Sequence, residues 1–69
     1  GDAVTLPSAI AGQTVYIVNH GAQSADVFPA SGDAINEAAA NAAKALAVDA
    51  AMICHSYDAT NWECNTLAR

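Results

Sequence analysis

The sequence predicts a mainly β domain, a small antiparallel sheet or sandwich of about five to six strands. Three observations carry this expectation. Val15, Tyr16, Ile17 and Val18 sit together in residues 13–19, a run of the β-branched and aromatic side chains that suit a pleated, half-buried surface. Residues 50–57 and 62–67 form two further apolar-polar runs on either side of Asp58-Ala59-Thr60-Asn61, a cluster of turn formers. Midway between these regions, Pro29-Ala30-Ser31-Gly32-Asp33 punctuates the chain with residues that favour turns.

Taken in order, Ala3-Val4-Thr5-Leu6 alternates in polarity and stops at Pro7, which lacks a backbone donor and suits the end of an edge strand. The strand at residues 13–19 runs into His20-Gly21-Ala22-Gln23, so residues 24–28 are expected to return beside it as a hairpin. The strands around residues 15–18 and 53–57 are expected to form the sheet core. Local rules conflict between Ala34 and Ala47. Alanine has the highest helix propensity, Glu37, Asn41 and Lys44 share a helical face, and Asp33 is placed to cap the first turn. A short helix near residues 34–41 therefore competes with a strand reading that breaks near Asn41 and puts Lys44, Leu46 and Val48 on one face. Beyond it, residues 50–57 and 62–67 pair as a second hairpin, in either of two registers.

A chain of 69 residues allows one domain, spanning residues 1–69, and one of this size buries only about 60% of the surface its unfolded chain exposes. Hydrophobic residues reach 54%, but alanine supplies much of that figure and aromatics only 6%, so the core is thin and a multimer is expected. The net charge of −5, with Lys44 and Arg69 as the only Lys or Arg, leaves nothing to neutralise a run of phosphates; neither nucleic acid nor an anionic membrane is an expected partner. Gly1-Asp2 is not a natural initiator, and the chain is expected to be processed or part of something longer.

Chemistry is sparse. Cys54 and Cys64 flank the second hairpin turn and are either a disulfide, closing a loop of about ten residues and stabilising by about 2–3 kcal/mol, or two small buried hydrophobes. Neighbouring strand residues point to opposite faces, so Cys54 and His55 do not share a zinc ion, and no metal or other cofactor is expected. The acidic residues spell no calcium loop; Asp26, Asp33, Asp49 and Asp58 each sit near a turn, where carboxylates cap backbone donors. No base, nucleophile and oxyanion site can be assembled from these residues, so no catalytic role is expected. Tyr57 and Trp62 are candidate ligand-facing aromatics, for instance toward a glycan, but are also placed to pack across the hairpin, which is the favoured reading. Small side chains at Ala38 and Ala42, with Leu46, mark a candidate interface where neighbouring backbones could approach closely.

The chain also resembles a small β-rich domain that recurs in phage and prophage structural proteins. The resemblance runs through Val4-Thr5-Leu6-Pro7, Val15-Tyr16-Ile17-Val18-Asn19, Leu46-Ala47 and Thr60-Asn61-Trp62, and is most distinctive in Phe28-Pro29-Ala30-Ser31-Gly32-Asp33-Ala34-Ile35-Asn36. It implies a non-catalytic module of a head fibre, capsid decoration or tail fibre, located on the virion. It further implies association as a trimer and attachment to other virion proteins; a receptor- or glycan-binding adhesion module is the alternative. This chain departs from the pattern in its alanines and Glu37, where glycine or β-branched residues are usual. A second departure is Val48-Asp49, where a glycine turn is common.

Overall fold

The computed structural model describes residues 2–67; Gly1 and Arg69, which entered the readings of origin and charge, lie outside them. Seven strands form two sheets: β1 (Asp2–Thr5), β2 (Thr14–Val18), β3 (Ala25–Phe28), β4 (Ala34–Ile35), β5 (Lys44–Leu46), β6 (Ala51–Ser56) and β7 (Asn61–Leu67). One sheet has the order β1-β3-β5 and the other β2-β6-β7-β4. The fold is all β among the described residues, as expected in class, but both sheets are mixed rather than antiparallel. β1 runs parallel to β3, and β4 parallel to β7.

The core lies between the sheets. Val27 and Leu46 enter it from the three-stranded sheet, Ile35, Met52, Cys54, Trp62 and Cys64 from the four-stranded one, and Leu6 and Ala9 from the connection after β1.

The first expected hairpin does not form. β2 pairs only with β6, while β3 lies between β1 and β5 in the other sheet. Asn19 explains the divergence. Its side chain accepts from Gly21 N at 2.9 Å and donates to the carbonyls of Gln23, Leu46 and Ala47 at 3.0–3.2 Å, so residues 19–24 become an arch between layers instead of a tight turn. The core position expected for β2 is corrected accordingly. It is an edge strand with Val15 and Ile17 half-buried, and β6 is central.

The alanine-rich stretch is not a helix. Asn36, Glu37 and Asn41 have φ of 54°, 64° and 69°, which no right-handed helix accommodates. An isolated helix of about eight residues is marginal on propensity alone, and specific contacts outweigh it here. Asn36 N donates to Trp62 O (2.8 Å), Asn41 N to Asp33 O (2.9 Å), and Gly32 N to Asn41 Oδ1 (2.7 Å). Asp33 caps no helix either; buried, it accepts from Ala9 N at 2.9 Å and fastens the loop after β1.

The run Phe28 to Asn36 thus works as a strap. Gly32 supplies a φ of 88°, Asp33 holds Ala9, Ile35 fills the core, and Asn36 reaches β7. Each duty is structural.

Candidate assembly surface

Side chains alternate across the β2-β6-β7 ladder, and the register gives the outer face three rows. Thr14, His55 and Glu63 make the first, Tyr16, Ile53 and Asn65 the second, and Val18, Ala51 and Leu67 the third. Tyr16 is 61% exposed, and Val18, Ile53 and Leu67 are exposed beside it, so adjoining rows form an apolar surface free of charged residues. Polar groups collect at one end, where Thr14 Oγ1 and His55 Nδ1 are 3.1 Å apart.

Behind this face stands the disulfide. Cys54 and Cys64 are directly opposite on β6 and β7 with a Cα–Cα distance of 4.0 Å, and both point inward. Of the two registers open to the sequence, the structure adopts the one that puts both sulfurs in the core. Asn36 then closes the outer side of β7: its Oδ1 accepts from Cys64 N at 2.7 Å and its Nδ2 donates to Cys64 O at 2.9 Å. One amide side chain thereby replaces a neighbouring strand's peptide group.

The two candidate aromatics part company. Trp62 is fully buried and belongs to the core, with its indole N–H unpartnered, so it presents nothing to a ligand. Tyr57 is exposed at the turn, where desolvation and the carboxylates of Glu37, Asp58 and Glu63 raise its pKa. Asp58 organises that turn. It accepts from Thr60 N at 2.8 Å and from the Asn61 amide, and these bonds hold its pKa below the usual carboxylate value.

The candidate interface residues also separate. Ala38 is exposed and Ala42 half-buried, but Leu46 is buried in the core of its own chain and offers no surface to a neighbour. Among the described residues, no three His, Cys, Asp or Glu side chains come together as metal ligands would. No family model, curated protein or solved structure matches the chain.

The outer face of β2 and β6 is a surface that no sequence motif marks. Its signal is the run of four apolar residues from Val15 to Val18, since a strand apolar on both alternating sets of positions has two faces to cover.

Proposed function

We propose that the chain is a non-catalytic structural module of a phage particle, of the fibre or capsid-decoration kind, which acts by self-association and by attachment to other virion proteins. The phage assignment rests on the sequence resemblance. Self-association rests on one observation: among the described residues eight large apolar side chains are exposed (Val4, Ile10, Tyr16, Val18, Val48, Ile53, Tyr57 and Leu67), against six that are buried (Leu6, Val27, Ile35, Leu46, Met52 and Trp62). Single exposed hydrophobics are ordinary on a monomer, but adjoining ones on a flat sheet face mark a contact surface.

Native mass spectrometry and sedimentation test the proposal. A defined multimer is expected, with three chains the mass that the resemblance implies. Ile53→Glu should dissociate it, because a carboxylate buried unpaired in an interface costs several kcal/mol. Ala59→Glu, in the exposed turn, should leave it intact, and Ala42→Glu reports whether the alanine-rich segment shares the contact. A wild-type monomer at all attainable concentrations would overturn the proposal.

A further inference from the structure

Four strands lie at sheet edges, and three of them are protected. β4 is two residues long, and beyond it the Asn36 amide occupies the edge of β7 at Cys64. β5 carries Lys44, and its Leu46 carbonyl accepts from Asn19. β1 includes Asp2 and runs into Pro7 two residues beyond its end. Brevity, charge, proline and a covering side chain are the usual means by which edges are kept from pairing with other chains.

β2 has none of these. Its five residues, Thr-Val-Tyr-Ile-Val, include no charge, proline or glycine. Asn19 N bonds to Ala50 O and Ser56 N to Gln13 O, so the odd-numbered residues face β6. By the alternation of an antiparallel ladder, Thr14, Tyr16 and Val18 direct their N–H and C=O groups away from it, toward the open edge.

We propose that this edge pairs with the same edge of a second copy, antiparallel about a twofold axis at Tyr16, joining two four-stranded sheets into one continuous sheet. The inference rests on the self-association reading above and adds a second contact to the sheet face: a twofold edge joins copies two by two, so beside a threefold face contact it would link one trimer to another. Two features select a second copy as the occupant. A chain of net charge −5 should repel its own copies, yet neither β2 nor its neighbour β6 carries an Asp or Glu, so this edge is where two copies meet no like charge. The edge is also self-complementary. Twofold pairing sets Tyr16 against Tyr16 and Ile17 against Val15 of the second copy, and the alternation turns that Val15 inward. There it meets a cleft of about 250 Å³ between β1 and β2, lined by Val4, Ile17, Val18 and Leu46 among others.

The test is amide hydrogen exchange of the full chain as its concentration is raised through association. Amides of Thr14, Tyr16 and Val18 should slow about tenfold or more as the edge pairs, while those of Val15 and Ile17, already bonded to β6, should change little. Tyr16→Pro removes an outward-facing N–H without breaking a bond to β6 and should lose the paired mass; Tyr16→Ala loses the same side chain but keeps that N–H and should retain it. Association that proceeds without slowing these three amides and survives Tyr16→Pro would overturn the edge contact while leaving self-association standing. A chain that never associates would overturn both.

Discussion

The β6–β7 hairpin and the alanine-rich segment 36–43 touch through Asn36 and Cys64, yet they are held in different ways. The hairpin is continuous ladder. Six registered pairs join its strands, Met52, Cys54, Trp62 and Cys64 enter the core, and a disulfide links the facing cysteines. Segment 36–43 has no ladder and puts almost no side chain into the core. Its path is dictated by a few polar groups, chiefly Asn36 and Asn41, working at backbone angles that alanine would not choose. One region is stabilised by many redundant contacts, the other by a handful that have no substitutes.

The disulfide offers the largest way to break that contrast. Replacing Cys54 and Cys64 with alanine should destabilise the domain by about 2–3 kcal/mol, the chain entropy that closing a loop of this length removes from the unfolded state. For a chain this small, 1 kcal/mol corresponds to about 4–8 °C in Tm, so thermal melts followed by the fluorescence of buried Trp62 resolve the change easily. The hairpin itself should persist, because its ladder and core side chains remain. Loss of all cooperative melting would show that the ladder is not sufficient and that the two regions depend alike on single links.

Asn36 is the counterpart in the other region. Asn36→Gly tolerates the φ of 54° but removes both bonds to Cys64, leaving a backbone N–H and C=O unpaired at the edge of β7. A cost of about 1–2 kcal/mol is expected. Asn36→Ala should cost about 1 kcal/mol more, because alanine also pays for the left-handed backbone. Equal Tm values for Asn36→Gly and wild type would mean that water replaces the amide without loss.

The same contrast explains what could be read from the sequence. The second hairpin was legible because its signals are local: turn formers at residues 58–61 and apolar alternation on both sides. Within it, only the register of Cys54 and Cys64 stayed open, since both choices satisfy the same local pattern. The first hairpin was misread because nothing near residues 20–23 reveals that the Asn19 amide will bond to Leu46 and Ala47, more than twenty residues away. Of the two readings open for the alanine-rich segment, the helix over residues 34–41 fails, since propensity records what alanine prefers and not that Asn36 is tied to β7, while the strand reading agrees with the left-handed break at Asn41 and with Lys44 and Leu46 on one face of β5. Tyr57 and Trp62 looked interchangeable as aromatics, whereas position in the ladder sends Trp62 into the core and leaves Tyr57 at the turn.

Glu37 gives the smallest effect and the sharpest test of how the second region is held. It stands at φ 64°, in the left-handed region, where a side chain carries a steric cost of about 1–2 kcal/mol that glycine avoids. Glu37→Gly should therefore stabilise the domain, by about 1 kcal/mol after allowance for the greater freedom of glycine in the unfolded chain. The substitution also removes a carboxylate near Tyr57, so charge and backbone must be separated. Glu37→Ala removes the carboxylate and keeps the steric cost; the gain from alanine to glycine isolates the backbone term. Ala40→Gly, at an exposed position outside the left-handed region, should lower Tm or leave it unchanged. If glycine gains nothing over alanine at 37, the left-handed turn is not limiting, and the stability of segment 36–43 lies in its asparagine side chains alone.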